Sequence, residues 1–150
     1  MVSKRRRVIE KWIDGYQQPD RYTVTAFRSP DCPHIVSSAL HPVQWDNNKT
    51  IKFFTQFEGI LHRVDFIVND WLDDNIGNKI GILVTLTSYF TPELELEPYT
   101  GKYYIIFHFN EAQDTITKYV EVVDYSNTPN YLAKVNIGRE KLGLGPLQEP

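Results

Sequence analysis

A single cysteine, Cys32, is the entire thiol content of the 150-residue sequence, which excludes an internal disulfide and any multi-cysteine metal site. Long apolar runs are missing too, and none follows the basic cluster Lys4-Arg5-Arg6-Arg7, so neither a membrane span nor a secretory leader is expected and the expected location is cytoplasmic. Basic residues gather only in that cluster, and the formal net charge is −3. No basic surface is expected to track phosphates, so nucleic acid is not an expected partner. The cluster itself reads as a solvated helix start. Glycine-rich phosphate loops, zinc-protease helices and serine nucleophile elbows are absent from the sequence. His34, His41, His62 and His108 lack ligand spacing, so no metal is expected. Any catalysis must rest on scattered side chains.

Aromatic residues are abundant instead: nine tyrosines, eight phenylalanines and three tryptophans. Amphipathic rings suit a cavity that grips a flat organic ligand, and they also suit a dimer interface. In the segment 4–18, Val8, Ile9, Trp12, Ile13 and Tyr16 recur at helical spacing, and Gln17-Gln18-Pro19-Asp20 ends the pattern. Residues 28–33 carry two prolines and form a shaped loop. A second helix is expected over 48–61 from Ile51, Phe54, Phe57, Ile60 and Leu61, with Asn47, Asn48 or Thr50 as its cap.

The period then changes. Segments 64–68, 79–90, 102–109 and 115–125 are β-rich and separated by turn signals, which predicts an antiparallel meander. Helices followed by a long-stranded meander predict one α+β domain over 1–150, with 127–150 a partly flexible extension holding a short helix. In the last strand Tyr119, Glu121, Val123 and Tyr125 share one face, and Val120, Val122 and Asp124 the other. Both faces are mostly apolar, so Glu121 and Asp124 are expected to be shielded carboxylates that need a partner. They fit acid–base chemistry in a pocket, and equally a salt bridge or a cap at a dimer surface. Arg28 fits either a surface ion pair or a charge held in a site, and Tyr99 and Tyr103 fit a cavity wall.

The loop Arg28-Ser-Pro-Asp31-Cys32-Pro-His34 together with Glu121-Val-Val-Asp124-Tyr resembles the small fungal members of the NTF2-like (SnoaL-like) isomerase family, over roughly residues 5–135. That resemblance implies a cone-shaped α+β barrel in which a curved antiparallel sheet and helices enclose a pocket. It further implies a homodimeric, cofactor-free enzyme of secondary metabolism. Within the family, Arg28, Tyr99, Tyr103 and Glu121 are similar to the catalytic set of the semipinacolases of brevianamide-type prenylated indole alkaloid biosynthesis. Such enzymes act after a flavin monooxygenase on an indole diketopiperazine and turn a 3-hydroxyindolenine into a spiro-indoxyl. Glu121 is then the base or proton shuttle, Arg28 the fixed charge, and Tyr99 and Tyr103 the hydrogen-bond donors. Trp45, Phe53, Phe57, Trp71 and Asp124 are the expected substrate-binding residues. A meroterpenoid isomerase, a polyketide cyclase or dehydratase, and a non-catalytic small-molecule-binding module are alternatives on the same fold.

Overall fold

A computed structural model describes residues 2–17, 23–37, 42–124 and 126–149. The turn signal at Gln18, Pro19 and Asp20, His41 and the side chain of Tyr125 fall outside these residues. Helix α1 (Lys4–Tyr16) begins at Ser3, whose hydroxyl accepts from the Arg6 amide at 3.2 Å and satisfies one of the helix's free N–H groups. Its stripe of Val8, Ile9, Trp12 and Ile13 is buried. A 3-10 turn (Thr23–Thr25) and the proline loop lead to strand β1 (His34–Ser37) and strand β2 (Val43–Trp45).

Helix α2 (Asn47–Thr55) is capped by Asp46, one residue before the expected caps, with its carboxylate accepting from the Lys49 amide at 2.7 Å. The helix is shorter than its apolar spacing suggests. Residues 56–58 close with tight bonds back to Phe53, Phe54 and Thr55, and the chain reverses at Gly59, whose φ of 77° suits glycine. Four long strands follow: β3 (Leu61–Asp74), β4 (Lys79–Phe90), β5 (Tyr99–Phe109) and β6 (Ile116–Val123). Strand β3 extends well beyond 64–68 because bulges near Leu61 and Val68 shift its alternation and hide its full length from a period-two reading.

The six strands run in the order β2-β1-β6-β5-β4-β3, antiparallel from β3 to β6, with β1 parallel to β6. The bulges bend the sheet so that its inner face is concave. Along β5 the inner positions Tyr99, Tyr103, Ile105, Phe107 and Phe109 are buried, while Thr100 and Lys102 are exposed. Two apolar clusters fill the hollow. In the first, α1 lies on the sheet and Trp12 packs edge-on against Phe66 and Phe107. The second joins the end of α2 to helix α3 (Thr128–Lys141) through Phe57, Ile60, Phe90, Leu94 and Val135. Among the described residues no helix is long and apolar enough to cross a membrane.

The basic cluster departs from a solvated helix start at Arg5, which is fully buried. Its Nη2 donates to Asp73 Oδ1 at 2.6 Å and to Asn75 Oδ1, and its Nη1 donates to Asn78 Oδ1 at 3.0 Å and to the Asp74 carbonyl at 3.2 Å. The guanidinium thereby ties the first turn of α1 to the β3–β4 connection, and four acceptors offset its desolvation. Arg7 stays exposed. Arg5→Ala is expected to lower unfolding free energy by about 2–4 kcal/mol, and Arg7→Ala by less than about 0.5 kcal/mol, in urea titrations of the two variants.

Candidate active site

Between the two clusters the concave sheet leaves a cavity of about 350 Å³. Tyr16 of α1, Trp45, Phe53, Phe54 and Phe57 around α2, and Tyr131 of α3 form its aromatic walls. The rings lean on one another, with centroids 4.8 Å apart for Trp45–Phe53, 5.3 Å for Phe53–Phe57 and 6.0 Å for Phe57–Tyr131. This mutual packing restricts their rotamers and holds the walls flat. Trp71, expected in the wall, is not among the lining residues. It lies beyond the second bulge of β3 beside α1, with the Arg6 guanidinium 4.3 Å from its ring centroid.

The polar centre is a pair that no local spacing announces. His34, 1% exposed, and Glu121 both line the cavity, with His34 Nε2 3.3 Å from Glu121 Oε2. Parallel pairing of β1 with β6 brings them together, since it sets His34 opposite Tyr119 and Val36 opposite Glu121. The other ring nitrogen, Nδ1, lies 3.2 Å from the Thr50 hydroxyl, which donates to the Asp46 carbonyl at 2.9 Å. Helix α2 therefore orients the imidazole from one side and β6 from the other. Burial lowers the His34 pKa below 6.5, and the Glu121 hydrogen bond opposes this only in part, so the ring is neutral at pH 7.

Arg28 stands behind this pair and is not among the lining residues. Its guanidinium carbon sits 4.3 Å over the centroid of Tyr119, the ring that also meets His34 edge-on at 4.6 Å. Its Nε and Nη1 are buried and have no hydrogen-bond partner among the described residues. Burial lowers the Arg28 pKa, while Tyr119, Cys32 and Glu121 work in the opposite direction. A short bridge aims the side chain: the Ile116 amide donates to Phe27 O at 2.7 Å, the Ser29 amide donates to Ile116 O at 2.8 Å, and Phe27 takes a φ of 62°.

Tyr103 lines the cavity, and burial with the nearby Glu121 raises its pKa far above the ordinary phenol value. Tyr16 and Tyr131 are raised for the same first reason, burial. These phenols remain protonated hydrogen-bond donors throughout the physiological range. Tyr99 is not among the lining residues; it is buried in the second cluster, its ring approaching Gly101 as the Tyr103 ring does, with its centroid 4.9 Å from that of Tyr131.

Asp124 is neither shielded nor in the cavity. It is exposed where β6 ends, and its carboxylate accepts from the Ser126 hydroxyl at 2.6 Å, the Ser126 amide at 2.9 Å and Asn127 Nδ2 at 3.1 Å. Its carbonyl accepts from the Thr128 amide at 2.9 Å, so its place is at the entry to α3. His108 lies on the outer face of β5 opposite Lys118 and Lys79. Sequence reading left His34 without a role and did not select Tyr16, Ser88 or Tyr131. The one available signal was the proximity of His34 to the proline loop.

No family model and no curated protein matches the sequence. Solved structures do share its fold. PrhC from Penicillium brasilianum aligns at 17% identity with a TM-score of 0.76, covering 95% of this chain and 96% of that one. The BvnE pinacolase from Penicillium brevicompactum aligns at 12% identity with a TM-score of 0.75, covering 89% and 94%. An NTF2-like protein of unknown function from Burkholderia pseudomallei aligns at 12% identity with a TM-score of 0.67, covering 86% and 97%. The fold is thus the NTF2-like, SnoaL-like α+β arrangement expected above, with a curved sheet and helices around a hollow.

Because the His34 pKa is lowered on folding, the unfolded chain binds more protons between the folded pKa and 6.5. Stability contributed by neutral His34 is complete above pH 6.5 and falls as pH drops through that window. Thermal melts from pH 7.5 to 5 are expected to show this fall, and His34→Gln to flatten it.

Proposed function

We propose that this chain is a cofactor-free isomerase that performs a semipinacol rearrangement in fungal prenylated indole alkaloid biosynthesis, acting after a flavin monooxygenase. The observation that carries this reading is the cavity-facing His34–Glu121 pair enclosed by flat aromatic walls. The likeness in fold to a pinacolase supports the same reading.

The substrate is a 3-hydroxyindolenine bearing a diketopiperazine arm. Glu121 accepts the proton of the C3 hydroxyl, and neutral His34, 3.3 Å away, steadies or relays it. As the oxygen forms its carbonyl, the C3 arm migrates to C2 with its bonding electrons. The ring nitrogen gains a proton, so one proton leaves the substrate, one returns, and the formula is unchanged. Tyr103 supplies a phenol donor to the nitrogen or the developing oxyanion, and Tyr99 backs Tyr103 across Gly101, which both rings approach. Arg28 stays cationic and acts through the field it sets at Glu121 rather than as a proton donor. The aromatic walls favour one rotamer of the migrating arm, which selects the shift over ring closure.

A second reading keeps the same pair and changes the substrate. A histidine–carboxylate pair facing a cavity also fits a polyketide cyclase, a dehydratase or a meroterpenoid isomerase, with Glu121 in the place a dehydratase gives to aspartate. One incubation separates the readings. The protein is combined with the upstream monooxygenase, its reduced cofactors and a reverse-prenylated tryptophan–proline diketopiperazine, and products are resolved by chromatography and mass. Spiro-indoxyl is expected to replace the ring-closed pyrroloindoline, with Glu121→Gln lowering its rate by about 100-fold or more and Tyr103→Phe by about 10-fold. Unchanged products with folded protein sink the semipinacolase reading.

The outer face of the sheet supports a homodimer. Ile67, Leu83 and Val122 are 58%, 40% and 39% exposed there, Tyr104 lies between the last two, and Ile106 follows between Gly81 and Val120. Sedimentation equilibrium is expected to give twice the chain mass, and Val122→Lys to shift it toward a single chain.

A further inference from the structure

Residues 143–149 lie along the end of α2 as a strap. The Gln56 side chain reads one backbone unit in both directions: its Nε2 donates to Gln148 O at 2.7 Å, and its Oε1 accepts from the Gln148 amide at 2.8 Å. Asn136 Oδ1 accepts from the Leu147 amide at 2.8 Å, and Arg139 donates through Nε to Gly145 O at 2.7 Å and through Nη1 to Gln56 O at 2.7 Å. Leu147 packs against the second apolar cluster. This fastening replaces the frayed extension expected from the Gly-Pro-rich sequence.

The strap carries Glu149 to the cavity, where it is a lining residue. Its carboxylate has no hydrogen-bond or ion-pair partner among the described residues, in contrast to Glu121, which has His34 within reach and the Arg28 charge behind it. The described lining residues include these two carboxylates and no lysine or arginine. The two acids serve different parts of the cavity. The pair at Glu121 is joined to α2 at Thr50, whereas the strap is fastened at Gln56, and those positions are separated by about 9 Å of helical rise.

We propose that Glu149 forms a binding subsite at the cavity mouth for a cationic or strongly N–H-donating nitrogen of an aromatic ligand, held there by the strap's attachment to Gln56. Glu149 is exposed, and the aromatic faces of the cavity it lines add to the attraction of its carboxylate for such a group, while an anionic ligand meets an uncompensated negative charge. The inference deepens the reading of the cavity as a site for a nitrogen heterocycle, but it does not depend on the semipinacol step.

The test uses the full chain at pH 7 and three indole probes of similar size: tryptamine, which is cationic; tryptophol, which is neutral; and indole-3-propionate, which is anionic. Isothermal titration calorimetry is expected to show tryptamine binding about fivefold tighter than tryptophol, with indole-3-propionate weakest and the preference shrinking in high salt. Glu149→Gln is expected to bring tryptamine to the tryptophol affinity while leaving tryptophol unchanged. Gln56→Ala, which removes the two bonds that hold Gln148 but keeps the carboxylate, is expected to weaken the tryptamine preference as well. A tryptamine preference that survives in Glu149→Gln assigns it to the ring faces and overturns the proposal. Equal binding of the three probes, or no binding of tryptamine, overturns it as well. Failure of the spiro-indoxyl assay leaves this charge preference standing, so the two inferences fail separately.

Discussion

Four residues of β1 run parallel to β6, with His34 opposite Tyr119 and Val36 opposite Glu121, and this short ladder joins two parts of the chain separated by most of the meander. Parallel pairing demands a long connection, and α2 with strands β3 to β5 supplies it. The connection then becomes the container: α2 provides aromatic wall and the Thr50 hydroxyl, while the meander provides the concave floor. If β1 slipped by one residue, His34 would face outward and Glu121 would lose its partner. Placement of the His34–Glu121 pair and extension of the sheet beyond β6 are therefore one structural event.

Around that ladder, polar groups are sunk in an apolar setting where each hydrogen bond matters more than it does in water. Tyr119 is the shared surface, since its ring meets His34, Phe107 and the Arg28 guanidinium. A desolvated cation over an aromatic face is held by about 2 kcal/mol, which keeps the Arg28 charge in place without a direct ion pair to Glu121. Burial acts on the phenols and the imidazole in opposite senses of pKa, yet with one outcome. Tyr16, Tyr103 and Tyr131 keep their protons, His34 sheds one, and the cavity near neutral pH holds fixed donors beside a neutral ring.

Periodicity revealed much of the fold because it records which face of an element is buried. The α1 stripe and the inner face of β6 with Tyr119, Glu121 and Val123 follow it closely. It fails where the deciding partner is distant in sequence. Arg5 looked like one more residue of a charge run, and only the arrival of Asp73, Asn75 and Asn78 makes it a core residue. His34 carried no signal of its partner, which lies in the last strand. Asp124 was read as continuing the alternation of β6, but the strand ends at Val123 and the next carboxylate turns to Ser126 and Asn127, just ahead of the following helix. Trp71 was misread because a bulge precedes it, and the C-terminal residues because their anchors are the Gln56, Asn136 and Arg139 side chains on other elements.

Phe27 holds a backbone conformation that a side chain other than glycine adopts at a cost of about 1–3 kcal/mol, and it does so immediately before Arg28. A glycine there would remove the strain and also loosen the turn that points the guanidinium inward. At this position the most robust sequence and the best-aimed one are different sequences. Stability and the aim of the guanidinium pull against each other here, and a sequence under no pressure to hold the Arg28 charge inward would be free to drift toward the glycine.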